Sequence, residues 1–241
     1  MKYQAAIFDM DGTVLDTSGD LTDALIHAFE ETGHQVTFSV REAVNFYGSG
    51  MRNAVNRALL FERGHGIPEL ETVGTSSDHL TETIDPAETD QVLGIFNPYY
   101  AAHCALQTGP YPGIIELLKR LRTAAVRCAV VSNKPDMAVQ QLVTDYYDGL
   151  FDFALGERTD LQRKPHPDMT LYALRQLGVC PEQAVYIGDS EIDMQTADNA
   201  GLDCISVDYG FRSRAFLKAH GAACIVSSAA AVGDLILGNN E

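Results

Sequence analysis

The stretch YQAAIFDMDGTVLDT, residues 3–17, joins an apolar run directly to two aspartates. The run that ends at Phe8 lacks the polar alternation of a half-exposed strand, so it predicts a strand buried on both faces. Asp9 and Asp11 follow at once, with Gly12 directly behind them. Residues two apart in an extended chain project to the same side, so both carboxylates can face one ligand. Charged groups at the end of a buried strand need compensation, which makes this stretch a candidate site.

Length, composition and charge set the first limits. The chain has 241 residues, enough for one large α/β domain or for a domain with a smaller module. Its 17 basic and 33 acidic residues give a formal charge of -16, which argues against nucleic acid or membrane as a main partner. The five cysteines form neither a CxxC pair nor a Cys/His cluster, and we find no signal peptide or membrane span. We therefore expect a soluble, cytoplasmic protein with reduced thiols.

The pattern beyond residue 112 predicts a parallel α/β fold. Short apolar runs alternate there with amphipathic helical stretches such as Ile114–Leu121 and Met169–Leu177. Such alternation is typical of a Rossmann-like, doubly wound parallel sheet. The predicted strands are Ala5–Phe8, Cys128–Ser132, Ala184–Ile187, Asp203–Val207 and Ala223–Val226.

The segment after the first strand has a different character, because it lacks buried-strand runs. Apolar residues at helical spacing mark two helix faces, over residues 21–29 and 51–59. Residues 71–90 are polar and acidic with weak periodicity, which predicts a loop or a short frayed helix. We therefore predict an all-helical domain inserted into the α/β core. The core comprises residues 1–16 and 106–241, and the inserted helical domain comprises residues 17–105.

Polar side chains follow the predicted strands at the places where ligands bind in such sheets. Ligand sites in open parallel sheets lie beyond the carboxyl ends of the strands. Ser132, Asn133 and Lys134 end one strand, and Asp189 follows another within the sequence GDSEID. Lys164 lies just before a predicted helix start. We expect these groups and the first aspartate pair to converge on one crevice.

The aspartates point to a metal ion. Like charges as close as Asp9 and Asp11 need a cation or a shared proton, and Asp189 adds a third carboxylate. The site offers only oxygen ligands, with no paired histidine or cysteine, which favours a hard cation, Mg²⁺ over Zn²⁺. Gly12 allows a tight turn and a close approach of the backbone to a ligand.

The second group of residues suits a phosphoryl group. Pro135 fits the first turn of the next helix, whose backbone N–H groups favour an anion. Ser132 adds a hydroxyl donor, Asn133 an amide, and Lys164 a point charge. A carboxylate nucleophile, an adjacent acid or base, Mg²⁺ and cationic donors are the components of phosphoryl transfer through an aspartyl-phosphate.

Each motif alone has a simpler interpretation as an acidic loop, a helix cap or a surface turn. The four motifs follow one another in order, and each lies at a strand end or a helix start, which favours a functional interpretation. DMDGTVLDT, VVSNKP, KPHPD and GDSEIDM together resemble the four motifs of the haloacid dehalogenase superfamily of phosphatases, across almost the whole chain. The SNKP form, the Tyr-Pro-Gly sequence and the short helical insert resemble the phosphoglycolate phosphatase-like group with a helical cap.

The resemblance implies a role for each acidic residue. Asp9 would attack phosphorus, and Asp11 would protonate the leaving oxygen and then activate water. Asp9, Asp189 and the backbone carbonyl of Asp11 would bind Mg²⁺. Asp193 would lie behind them and orient the metal ligands or Lys164.

The other motif residues are implied to hold the phosphoryl group. Ser132 and Lys164 would contact its oxygens, while Asn133 and Gly12 would line the same pocket. True dehalogenases of the superfamily lack the acidic residue two positions after the nucleophile. The presence of Asp11 therefore favours phosphoryl chemistry over haloacid chemistry.

The inserted domain carries a glycine-bearing loop, YGSGMR. In similar phosphatases a loop at this place reaches the substrate, which implies contacts from Gly48, Ser49 and Gly50. Arg52 could pair with a substrate carboxylate or a second phosphate. The alternative is a plain turn between helices, with Arg52 on a solvated face.

Taken with the resemblance, the sequence predicts a Mg²⁺-dependent phosphatase for a small phosphorylated metabolite, with 2-phosphoglycolate as the first substrate to test. One alternative is a phosphomutase of the same superfamily acting on a sugar phosphate. Another is a phosphatase for pyrophosphate, a sugar phosphate or a nucleoside phosphate. A non-catalytic, partner-binding protein on this fold is disfavoured because Asp11 and Lys164 are both present.

Overall fold

The central feature of the computed structural model, which describes residues 2–238, is a parallel sheet. The described strands are β1 Ala5–Phe8, β2 Leu15–Asp16, β3 Gly109–Pro110, β4 Arg127–Pro135, β5 Phe153–Glu157, β6 Ala184–Gly188, β7 Asp203–Val207 and β8 Ile225–Val226. Six of them form the sheet in the order β5-β4-β1-β6-β7-β8, and every neighbouring pair is parallel. The short strands β2 and β3 pair antiparallel with each other.

Helices make up most of the remaining described chain. They are α1 Ser18–Thr32, α2 Val40–Ala43, α3 Met51–Glu62, α4 Ile67–Leu70, α5 Pro86–His103, α6 Ile114–Thr123, α7 Asp136–Tyr147, α8 Asp168–Leu177, α9 Glu191–Ala200, α10 Arg214–Ala219 and α11 Ala229–Leu237. Two short 3₁₀ helices cover Val44–Phe46 and Pro181–Gln183. Within residues 2–238, no helix combines the length and apolar character needed to cross a membrane.

The sheet is covered on both faces because its central strand is apolar on both sides. In β1, Ala6 and Phe8 belong to a core cluster with residues of α6, α7 and α11. Ala5 and Ile7 belong to a second cluster, with residues of α8 and α9. All four side chains are fully buried. The predicted doubly wound α/β fold with an inserted helical segment is therefore confirmed.

The structure differs from the predicted elements in three places. Strand β5, at the edge of the sheet, was not predicted, because its apolar run is only three residues long, Phe153–Leu155. The predicted strand Ala223–Val226 shortens to β8. In the polar stretch 71–90, turns are followed by α5, which begins at Pro86 behind the capping side chain of Asp85.

The chain divides into two compact units, of which the second is Thr17–Thr108. We predicted that the helical unit ends at residue 105, whereas the compact unit extends to Thr108. The carboxylate of Asp20 in α1 accepts hydrogen bonds from the backbone N–H groups of Gln107 and Thr108, both at 2.9 Å. The Thr108 hydroxyl donates to the same carboxylate at 2.7 Å. These bonds attach residues 107 and 108 to the helical unit.

The helical unit has its own aromatic core. Phe38 packs edge-to-face between Phe29 and Phe46, with ring centroids 5.4 Å apart in each pair. Phe46 also contacts Phe61 of α3 at 5.6 Å. Edge-to-face pairs contribute about 0.5–1.5 kcal/mol each beyond the area that they bury. This core fixes the segments on either side of the glycine-bearing loop.

Candidate active site

The order of the strands brings three sequence motifs to adjacent places. Strand β1 lies between β4 and β6, so the residues at their carboxyl ends are neighbours. Asp9 follows β1 and continues the ladder through its N–H, which donates to the Ile187 carbonyl at 2.9 Å. Ser132 lies near the end of β4, and Asp189 directly follows β6. The site therefore stands at the carboxyl edge of the sheet, as ligand sites in open parallel sheets do.

Lys164 is the central cation of this site. Its Nζ lies 2.7 Å from Asp9 Oδ1 and 2.8 Å from Asp193 Oδ1, and its side chain is 3% exposed. Burial alone would lower the pKa of Lys164, but the carboxylates of Asp193 and Asp9 outweigh it and raise the pKa. The ammonium group is therefore charged and joins the first and fourth sequence motifs.

Three buried carboxylates form a candidate metal site. Oxygens of Asp9, Asp189 and Asp193 all lie within 4.8 Å of one another. Burial and repulsion from Asp193 raise the pKa of Asp9 to about 7, and burial with repulsion from Asp193 and Asp9 raises that of Asp189. Such a group of like charges is relieved by a divalent cation, and an all-oxygen donor set fits a hard one. These residues can therefore hold a metal ion of the kind predicted from the sequence.

Asp189 is oriented from both sides. The Thr13 hydroxyl donates to Oδ1 at 3.0 Å, and the Phe211 N–H donates to Oδ2 at 2.8 Å. Gly12, with a φ of +83°, lies so close to this carboxylate that a Cβ on residue 12 would overlap it. The glycine is thus needed for the approach of the first motif to Asp189.

A buried ion pair fixes the segment behind Asp189. The Arg212 guanidinium donates from Nε and Nη2 to the two carboxylate oxygens of Glu191, each at 3.1 Å. The two side chains are 1% and 4% exposed. Because Arg212 follows Phe211 and Glu191 lies two residues after Asp189, this pair ties together the segments that hold the carboxylate.

Asp193 connects the start of α9 to Lys164. Its Oδ2 accepts hydrogen bonds from the Ser190 N–H at 3.1 Å and the Ser190 hydroxyl at 2.7 Å. Its Oδ1 remains on the Lys164 ammonium. The Asp193 side chain therefore caps α9 and also pairs with Lys164.

Ser132 and Asn133 occupy different places relative to Lys164. Ser132 is 2% exposed, and its hydroxyl accepts the N–H of Lys134 at 3.1 Å. The Asn133 amide donates to the Lys164 carbonyl at 3.0 Å and accepts the Lys164 N–H at 2.9 Å. Asn133, expected to line the phosphate pocket, is therefore engaged at both ends of its amide in holding the backbone of Lys164.

Asp11 pairs with a lysine for which we predicted no separate role. The Lys134 ammonium lies 3.2 Å from Asp11 Oδ1, and the Lys134 side chain is 6% exposed. The Asp11 carboxylate is not part of the cluster formed by the other three aspartates. Lys134 stands at the third position of VVSNKP after its two valines, and this place at a strand end was the available signal.

The glycine-bearing loop of the helical unit is organised by a buried arginine. The loop Gly48–Gly50 lies between the 3₁₀ turn and α3. Arg57, which is fully buried, donates to Ser49 Oγ at 2.8 Å and to the Phe46 carbonyl at 2.8 Å. It also donates to the Val73 carbonyl at 2.6 Å. Arg57 was not among the predicted residues, because the sequence does not show that its side chain is buried.

Arg52 lies on an exposed part of the same helix. It forms an ion pair with Asp90 of α5, and the two side chains are 54% and 62% exposed. Exposed pairs of this kind contribute about 0–1 kcal/mol. The pair is therefore weak enough to be exchanged for another anion.

Comparisons with known proteins agree with this architecture. Residues 6–207 match the family described as haloacid dehalogenase-like hydrolase. A phosphoglycolate phosphatase from Psychrobacter arcticus is 32% identical over 88% of this chain and 86% of its own length. One from Colwellia psychrerythraea is 29% identical over 87% of this chain and 86% of its own. A crystal structure from Lactobacillus delbrueckii subsp. bulgaricus, provisionally named a phosphoglycolate phosphatase, has a TM-score of 0.92 at 53% identity, covering 99% of this chain and 100% of that one.

The doubly wound sheet with motif residues at its carboxyl edge defines a Rossmann-like α/β protein with an inserted helical unit. The family match covers most of the chain. This protein belongs to the haloacid dehalogenase-like hydrolase family and is similar to its phosphoglycolate phosphatases. The membership predicted from the four sequence motifs is confirmed.

Proposed function

We propose that this protein is a Mg²⁺-dependent phosphatase that hydrolyses a small phosphomonoester by way of a phosphoryl group carried on Asp9. The observation that carries the proposal is the asymmetric binding of this carboxylate. Oδ1 is held by the Met10 N–H and by Lys164 Nζ, both at 2.7 Å. Oδ2 accepts no hydrogen bond from the residues that the structure describes. A carboxylate fixed by one oxygen presents the other to an electrophile such as phosphorus.

The reaction follows in two halves. Asp9 Oδ2 forms a bond to phosphorus while the bond from phosphorus to the ester oxygen breaks. The electron pair leaves with the ester oxygen, which takes a proton from Asp11. Water then attacks phosphorus and gives a proton to Asp11, and the bond from phosphorus to Oδ2 breaks. The electron pair of that bond returns to the Asp9 carboxylate, which restores the enzyme.

Residues of the α/β core would bind the phosphoryl group and the cation. Lys164 and the Ser132 hydroxyl would bind its oxygens, which gives a locally positive site in an acidic protein. Asp9, Asp189 and the Asp11 carbonyl would hold Mg²⁺, and Asp193 would keep Lys164 in place. When bound, the cation neutralises charge on the phosphoryl oxygens.

A panel of small phosphate esters tests the substrate. The names of the related proteins support 2-phosphoglycolate, and we expect it to be preferred over hexose phosphates, nucleoside monophosphates and pyrophosphate by about 100-fold in kcat/KM. Phosphate release with Mg²⁺ is the measurement. Similar kcat/KM values for all compounds of the panel would refute the assignment of 2-phosphoglycolate but not the phosphatase activity. Absence of phosphate release, with lasting phosphorylation of the protein and activation by a sugar bisphosphate, would favour the phosphomutase.

The helical unit, which we propose as the cap, carries the next prediction. We infer that the loop Gly48–Gly50 contacts the substrate and that Arg52 exchanges Asp90 for a substrate carboxylate. Arg52→Ala is then expected to raise KM for 2-phosphoglycolate about 2-fold to 5-fold, since an exposed charge pair contributes no more than about 1 kcal/mol. KM for an aryl phosphate without a carboxylate should stay unchanged.

Steady-state kinetics on the two esters checks this, with Arg41→Ala as the matched control. Arg41 is an exposed arginine of the same unit. An equal change of KM for both esters would refute the contact between Arg52 and the substrate carboxylate and favour a solvated position for Arg52.

A further inference from the structure

The first sequence motif is served by two lysines in different ways. Lys164 pairs with Asp9, and Lys134 pairs with Asp11 at 3.2 Å. The two lysines come from different segments, because Lys134 lies within β4 and Lys164 lies in the loop between β5 and α8. Each motif carboxylate is therefore paired with a separate segment of the core, although the two aspartates are only two residues apart.

The contact with Lys134 distinguishes the two oxygens of Asp11. Oδ1, which faces the ammonium, is buried, while the whole side chain is 23% exposed. The exposed surface therefore belongs to the rest of the side chain, which includes Oδ2. The inner oxygen accepts no hydrogen bond from the described residues, so its contact with the Lys134 ammonium is an ion pair, and the outer oxygen is left open.

An irregularity in the sheet brings the Lys134 side chain to this place. The register of β4 against β5 shifts between Val131 and Pro135. The Gly156 N–H of β5 donates to Asp136 Oδ1 at 2.8 Å, just beyond the shift. Irregularities of this kind re-aim side chains next to active sites. The local geometry of β4 thus serves to direct Lys134.

A purely structural role would not favour a lysine at position 134. Burying an ammonium group costs several kcal/mol before pairing, whereas an apolar side chain of similar size would be stabilising at the same place. The Asp11 side chain is 23% exposed, so water can hydrate its outer oxygen and its charge does not depend on a buried partner alone. The position of the carboxylate is the property that a buried, directed lysine adds.

We propose that Lys134 is a positioning residue that holds Asp11 by Oδ1, so that Oδ2 faces the ester oxygen for proton transfer. The inference rests on the proposed function, in which Asp11 gives a proton to the leaving oxygen and later takes one from water. Lys134 itself exchanges no proton and forms no bond to the substrate. Its effect is to keep the proton donor within reach of the breaking bond.

The dependence of the rate on the leaving group tests this role. An alkyl phosphate needs a proton on its leaving oxygen, whereas p-nitrophenyl phosphate releases a stable anion without one. The parameter kcat/KM reports the first half of the reaction, and kcat includes the hydrolysis of phosphorylated Asp9. Lys134→Met removes the charge at nearly the same length, and Lys134→Arg keeps a cation. Asp11→Asn removes the proton donor itself.

We expect Lys134→Met to lower kcat/KM for the alkyl phosphate about 30-fold and for p-nitrophenyl phosphate less than about 3-fold. Asp11→Asn should show the same pattern with a larger loss. Lys134→Arg should recover part of the alkyl activity. Lys119→Met, at an exposed lysine of α6, is the matched control and should leave both esters unchanged.

Three outcomes would overturn parts of this scheme separately. Equal losses on both esters for Lys134→Met, with a lowered Tm, would show a merely structural lysine. A leaving-group dependence in Asp11→Asn but not in Lys134→Met would refute the role of Lys134 and keep that of Asp11. Absence of phosphate release from either ester by the unmodified protein would instead refute the proposed function.

Discussion

Asp9→Asn is expected to abolish phosphate release, with a loss of about 10⁴-fold or more in kcat. The amide oxygen of asparagine can still accept the Met10 N–H, so the local geometry is kept. It lacks the negative charge that attacks phosphorus, and within residues 2–238 no second carboxylate pairs with Lys164 while leaving one oxygen without a hydrogen bond. Phosphate release from 2-phosphoglycolate is the measurement.

The same substitution should leave the fold intact or more stable. Replacing one of three clustered carboxylates relieves the repulsion with Asp189 and Asp193 in the absence of metal. Thermal unfolding should therefore show an unchanged or raised Tm, which separates loss of chemistry from loss of structure. Asp145→Asn, at an exposed aspartate of α7, is the control. Activity within tenfold of the unmodified protein would refute the nucleophile assignment.

Removal of metal by EDTA is the second change with a large expected effect, a complete loss of turnover that Mg²⁺ restores. Of the three buried carboxylates, those of Asp9 and Asp193 share the Lys164 ammonium. Burial, together with repulsion within the cluster, raises the pKa values of Asp9 and Asp189. A divalent cation supplies the charge that one lysine does not. Mg²⁺ should also raise the Tm, because it binds the folded state.

Calorimetric titration of Mg²⁺ separates metal binding from turnover. Asp189→Asn is expected to weaken binding about tenfold or more, since one of the charged ligands is lost. Asp145→Asn should bind as the unmodified protein does. Restoration by Zn²⁺ and not by Mg²⁺ would contradict the preference for a hard cation that the all-oxygen donor set implies.

The sequence predicted those parts of the fold that depend on continuous patterns. The apolar run of β1 and the periodic helices α6 and α8 carry their signal within a few residues. Strand β5 was missed because its apolar run, Phe153–Leu155, is too short to indicate a strand by itself. The order of the strands also depends on long-range pairing, which periodicity does not encode.

For the candidate site, motifs predicted the residues better than their partners. The structure brings together Asp9, Lys164, Asp189 and Asp193, as expected from strand ends that share one edge. The sequence does not distinguish a buried lysine from one on the surface, so we assigned no separate role to Lys134. The two bonds from Asn133 to the backbone of Lys164 likewise depend on how the loops fold.

The buried pair of Glu191 and Arg212 has a consequence for how relatives of this protein diverge. Loss of one partner leaves an uncompensated charge in the interior and costs about 3–5 kcal/mol, whereas exchange of both for apolar residues is close to neutral. A single substitution at either position, on the way from a charged pair to a pair of apolar residues, is therefore disfavoured. Across related sequences, we expect positions 191 and 212 to change together, with an acid and a base in some lineages and neither in others.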